Sequence, residues 1–121
     1  MNNYQQQADL HRALAHPVRL RILEILAREE ACVCHLTAVL HKPQPYVSQQ
    51  LSMLRDANLV TDRRDGTLIY YRLQNEAVAQ LLTAGQRATQ REDDQDETVR
   101  QAAPVPERPV PGCPCPRCKE T

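Results

Sequence analysis

Gln44-Pro45-Tyr46-Val47-Ser48-Gln49-Gln50-Leu51-Ser52-Met53-Leu54-Arg55 places Val47, Leu51 and Leu54 at i, i+4 and i+7, the spacing of a helix with one buried face. The same stretch turns Gln44, Ser48 and Gln49 towards solvent. Those side chains carry donors and acceptors together, which is what reading base edges in a major groove requires. Tyr46 adds a phenolic hydroxyl. Lys42 ahead of the helix and Arg55 at its end are positioned to neutralise phosphates.

The flanking sequence supplies a frame for this helix. Upstream, Val33, Leu36, Val39 and Leu40 form a shorter apolar stripe that Pro43 and Pro45 interrupt. Before it, Val18, Ile22, Ile25 and Leu26 make a core-facing stripe. Pro17 suits the first turn of that helix, where its missing N–H is not needed. A polar helix over about Tyr4–Ala15 precedes these. Downstream, the period changes from Val60 to Leu73, which alternate like strands around Arg63-Arg64-Asp65-Gly66-Thr67. Arg63 and Arg64 add two cations for phosphate contact. A last helix from Asn75 to about Gln90 presents Val78, Leu81 and Leu82. Helix, break, helix and basic hairpin together describe a mainly α fold with a small β-hairpin, a winged helix-turn-helix.

The 121 residues suffice for one ordinary domain. With no Phe and no Trp, the core must be built from Leu, Ile and Val. Fifteen basic and fifteen acidic side chains cancel, so net charge alone points to no partner. The balance is uneven along the chain. Residues 1–90 hold ten Lys and Arg against eight Asp and Glu, 10 − 8 = +2, and residues 91–121 hold five against seven, 5 − 7 = −2. The second segment begins with Glu92-Asp93-Asp94-Gln95-Asp96-Glu97 and continues through six prolines from Pro104 to Pro116. Such a composition cannot bury enough apolar surface to offset ordering entropy, so 91–121 reads as a disordered tail behind a 1–90 DNA-binding domain. No signal peptide and no membrane-length apolar run is visible, which predicts a cytoplasmic protein. Five cysteines, an odd number, argue against a closed disulfide set. In a reducing compartment, metal binding or redox chemistry is the expected use of such cysteines. No Gly-rich phosphate loop, nucleophile elbow or paired-carboxylate pocket supports an enzyme.

Three segments in order resemble the ArsR/SmtB family of metal-sensing repressors. They are Leu10-His11-Arg12-Ala13-Leu14-Ala15-His16-Pro17-Val18-Arg19-Leu20-Arg21-Ile22-Leu23, then Gln44–Arg55 with Asn58-Leu59-Val60, and Arg63–Leu73. The resemblance covers roughly residues 8–82. It implies a homodimer built on the first and last helices, with two recognition helices entering successive major grooves of operator DNA about 34 Å apart. Gln50 stands where family members commonly carry His, and Pro43 where they carry an N-capping Ser or Thr.

Cys32-Val33-Cys34 lies just before or at the start of the third helix and resembles the arsenic- and cadmium-sensing branches of that family. There the pair supplies thiolates to a soft ion. Residues two apart point to different sides of a regular helix. Both sulfurs reach one ion only if the turn distorts or the pair sits at the helix's frayed start. The branch's third Cys is replaced by Thr37, and its Asp by His35. Cys113, Cys115 and Cys118 on the tail can complete the site, within or across subunits, or bind an ion by themselves. Three sulfurs suit As(III) or Sb(III), and four suit Zn or Cd. His35 and His41 offer imidazole ligands but read first as exposed polar positions, and His11 and His16 as packing or capping residues. The absence of His after His41 removes the family's other sensing site, built from His and carboxylates on the last helix.

The expected function is a repressor released by a soft metal or metalloid, As(III) or Sb(III) ahead of Cd, Pb or Zn. One alternative is a thiol repressor sensing oxidants or persulfides. Another, from a different class, is a metal-carrying or thiol-exchange protein using Cys113-Pro114-Cys115, which leaves the recognition helix and the hairpin without purpose.

Overall fold

The computed structural model describes residues 3–90. The acidic, proline-rich segment expected to be a disordered tail lies outside the described residues, as do Cys113, Cys115 and Cys118. Helices α1 (Asn3–Leu14), α2 (Pro17–Arg28), α3 (Val33–Leu40) and α4 (Gln44–Asp56) come first, with a two-residue strand β1 (Ala31–Cys32) between α2 and α3. Strands β2 (Val60–Asp65) and β3 (Leu68–Leu73) follow, then α5 (Glu76–Thr89).

Each helix starts where the local chemistry allows it. Pro17 occupies the first turn of α2, and His16 caps that helix by accepting from the Val18 N–H at 3.2 Å, the capping role read for it in the sequence. Asn75 caps α5 in the same way, accepting from the Val78 N–H at 3.3 Å. Helix α4 has Pro43 at its N-cap and no side-chain cap, with Pro45 inside its first turn. Pro45 therefore opens α4 and is not the breaker of the preceding helix. His41, in the left-handed region at φ 53°, closes α3 instead.

The core forms where the stripes meet. Ile22, Leu23, Ile25 and Leu26 of α2, Leu36 of α3, and Val47, Leu51 and Leu54 of α4 are buried together with Leu59, Val60, Tyr71 and Val78. At about 25 cal/mol per Å² of apolar surface removed from water, these aliphatic side chains supply most of the driving force in a chain without Phe or Trp.

The sheet is more than the expected hairpin. Its order is β1-β3-β2, antiparallel throughout. Gly66, at φ 63°, takes the left-handed geometry of the two-residue turn between Asp65 and Leu68. Strand β1 pairs Ala31 with Tyr71 and Cys32 with Tyr70. It escapes sequence reading because two residues cannot display an alternating period. Tipward of the Cys32–Tyr70 rung the sheet narrows to two strands, and that part is the wing.

Candidate nucleic-acid interface and its cysteine pair

Helix α4 turns its apolar positions inward and leaves a polar face outside. Gln44 and Gln49 are exposed, Tyr46 and Ser48 are half-buried, and Lys42 is exposed just ahead of the helix. Exposed Arg55 donates through Nη1 to Asp62 Oδ2 at 3.4 Å, a loose bond to β2.

Gln50 differs from its neighbours. It is buried at 6% exposure, facing α2 and not solvent. Arg19 Nε donates to Gln50 Oε1 at 2.9 Å, while its other nitrogens donate to the Ala13 carbonyl at 3.3 Å and Met53 Sδ at 3.0 Å. One guanidinium thus ties the end of α1 to two successive turns of α4. Arg19 carried no local signal for this, since its partners on α4 lie 31 and 34 positions away in the chain.

The two wing arginines have different fates. Arg64 is exposed, and its side chain makes no hydrogen bond or ion pair among the described residues. Arg63 donates bidentately to Glu30, at 2.7 Å from Nε and 2.5 Å from Nη2, and lies 4.7 Å above the Tyr70 ring. The Glu30 hydrogen bonds raise the Arg63 pKa further above its ordinary value. Arg72, exposed on β3 opposite Thr61 and on the domain side of the Cys32–Tyr70 rung, is a further cation of the sheet that sequence reading passed over.

Cys32 and Cys34 come together. Cys32 is extended, at φ −80° and ψ 163°, and forms the N-cap of α3, with its Sγ accepting from the His35 N–H at 3.3 Å. Cys34 sits in the first helical turn, its Cα 5.4 Å from that of Cys32, and the two sulfurs are joined as a disulfide. The extended cap residue removes the obstacle that a regular helix would pose. Cys32 is buried and Cys34 half-buried. His35 is also buried, at 2% exposure, against the expectation of an exposed polar position, because the first turn of α3 presses it into the protein. His41 is exposed, as expected. Thr37, where the arsenic branch has its third Cys, has a buried hydroxyl with no hydrogen-bond partner. Among the described residues no group of three or more His, Cys, Asp or Glu is gathered for a metal.

Residues 16–62 match the family model for bacterial regulatory proteins of the arsR family. The solution structure of a homodimeric winged helix-turn-helix DNA-binding domain from Mycobacterium bovis, a possible ArsR-family regulator, is 35% identical with a TM-score of 0.67. The alignment covers 70% of this chain and 79% of that one. The chain belongs to the arsR family. Among arsR-family relatives, it is 43% identical over 81 residues to the transcriptional repressor SmtB homolog of Synechocystis, covering 67% of this chain and 61% of that protein. It is 46% identical over 66 residues to the arsenic resistance transcriptional regulator ArsR1 of Pseudomonas putida, covering 54% of this chain and 52% of that one. The chain thus spans between half and two thirds of these curated relatives. The arsR-family match runs from the cap of α2 into β2, and so includes Arg19, the cysteine pair and all of α4. Among the described residues no helix is long and apolar enough to cross a membrane.

Proposed function

We infer that this chain is a homodimeric repressor that grips operator DNA with α4 and the wing, and lets go when Cys32 and Cys34 bind a soft metal or metalloid. As(III) or Sb(III) is favoured over Cd, Pb or Zn. The observation that carries this reading is the meeting of the two sulfurs at the start of α3, the helix that packs against both α4 and the sheet. Names of relatives support it, one a repressor and another an arsenic resistance regulator. Gln44, Tyr46, Ser48 and Gln49 are the base- and backbone-reading candidates. Lys42, Arg55, Arg64 and, when released from Glu30, Arg63 are the phosphate candidates.

Once reduced, Cys32 and Cys34 offer two thiolates, one short of trigonal As(III). Cys113, Cys115 or Cys118 supplies the third, from the same subunit or its partner. A bound ion draws the two sulfurs towards a geometry that the first turn of α3 must follow. Only a ligand that binds the DNA-free shape more tightly than the DNA-bound shape can release the operator.

A second reading is favoured by the bond between the sulfurs: a redox-sensing repressor. Oxidation of the two thiols by hydrogen peroxide gives the disulfide and two molecules of water, with both electrons and both protons passing to the peroxide. The metal-carrier alternative leaves the α4 polar face without a role.

Operator binding followed by fluorescence anisotropy separates these readings. The titrants are As(III), Cd(II) and Zn(II) with reductant present, and peroxide without it. Release by As(III) under reductant is expected, and it should weaken in Cys115→Ser/Cys118→Ser. Release by peroxide and by no ion would replace the metalloid reading with the redox one.

A further inference from the structure

The register of the sheet places three side chains in one row. Cys32 on β1 is paired with Tyr70 on β3, and Tyr70 in turn with Arg63 on β2. Directly paired residues of antiparallel strands project from the same face, close enough to touch. Cys32 and Tyr70 are both buried and form a cluster apart from the main core, with Cys34, Ala38, Val39 and Leu68 packed around them. The Arg63 guanidinium lies over the Tyr70 ring, 4.7 Å from its centre. Glu30, two residues before Cys32, accepts two hydrogen bonds from that guanidinium, one on each carboxylate oxygen.

These contacts close a circuit. It runs from Glu30 along the chain to Cys32, across the sheet to Tyr70 and Arg63, and back to Glu30 through the ion pair. No residue of α4 takes part. The circuit sits at the Cys32–Tyr70 rung, the last one before the sheet narrows into the two-stranded wing. It is therefore at the wing's root, where a small displacement is magnified at the tip.

We propose that Tyr70 and Glu30 are positioning residues that carry the state of the Cys32–Cys34 pair into the wing, by setting where Arg63 is held. This rests on the reading that the pair controls operator affinity, and it adds a route independent of the packing of α3 on α4. The physical reason is the density of the cluster. Tyr70 is only 4% exposed, and a packed interior has no free volume in which to absorb a change in what Cys32 bonds. A thiolate bound to a large soft ion displaces the Tyr70 ring that supports the guanidinium. The bidentate fork to Glu30 is directional, so it cannot follow a displaced ring without losing one of its two bonds. Arg63 is then reseated, and with it the wing backbone that approaches DNA.

The test is the ratio of operator affinities with and without As(III), measured under reductant for the unsubstituted protein, Tyr70→Leu, Tyr70→Phe and Glu30→Gln. Coupling of the ordinary allosteric size is about 5- to 150-fold. Tyr70→Leu and Glu30→Gln should each lower the ratio by about threefold or more, leaving what the α3–α4 packing carries, while Tyr70→Phe, which keeps the ring, retains most of it. As(III) binding to the free protein, read from thiolate–metalloid ultraviolet absorption, should persist in all four. Amide exchange at residues 64–69 should respond to As(III) in the unsubstituted protein and in Tyr70→Phe, but not in the other two. Should Tyr70→Leu fail to fold, Glu30→Gln, half-buried just ahead of β1 and outside the hydrophobic core, carries the test. An undiminished ratio in folded Glu30→Gln or Tyr70→Leu overturns the relay and leaves the sensing reading intact. As(III) binding that leaves operator affinity unchanged in the unsubstituted protein overturns both.

Discussion

On α4, Gln44 and Gln49 stand exposed on a helix whose other face is locked into the core, while on the wing Arg63 is folded down onto Tyr70 and held by Glu30. Both regions offer polar side chains to a nucleic acid when read as sequence. In the recognition helix the offer stands nearly complete, because a 3.6-residue period separates inward from outward positions. In the wing it is partly withdrawn, because a charge on a strand can be claimed by any carboxylate the fold brings beside it. A count of cations is therefore not a count of cations available to DNA. Arg64 and Arg72 are available in a way that Arg63 is not.

Adjacent residues on α4 allow the sharpest test of this contrast. Gln50→Ala leaves Arg19 without its α4 acceptor and opens a buried polar gap, at a cost of about 1–3 kcal/mol visible in urea denaturation. Gln49→Ala should leave stability within about 0.5 kcal/mol, while operator affinity falls about tenfold, the scale of one base or backbone contact. Equal stability losses at the two positions would erase the distinction between the clamped and the free side of α4.

The wing gives a smaller effect. Arg64→Ala should reduce the salt slope of operator binding by about one, the mark of a lost phosphate contact. Arg63→Ala should reduce it by less, since that cation is already neutralised by Glu30. A larger slope change for Arg63 would mean that DNA takes it from Glu30 on binding.

How much of this was legible in the sequence follows the same line. The Val47, Leu51 and Leu54 stripe, the hairpin around Gly66 and the caps at His16 and Asn75 are local features, and local chemistry announces them. Closeness of the two sulfurs was legible only as a condition on backbone shape, which the extended N-cap conformation of Cys32 satisfies. Strand β1 is too short to show a period, although it turns the cysteine site into part of the wing's sheet. The Arg19–Gln50 and Glu30–Arg63 pairs join residues 31 and 33 positions apart, and no spacing rule reaches so far. His35 misled for a related reason. Its polarity suggests solvent, but the first turn of α3 has to press one side chain inward and His35 holds that position.

The central claim is that Cys32 and Cys34 govern the hold on DNA. It is tested most directly by titrating operator-bound Cys32→Ser/Cys34→Ser protein, beside the unsubstituted chain, with As(III) under reductant and with peroxide without it. The account predicts that the unsubstituted protein is released by at least one of the two and the double variant by neither. Release of the double variant at the same concentrations would contradict it and place the sensing chemistry elsewhere in the chain.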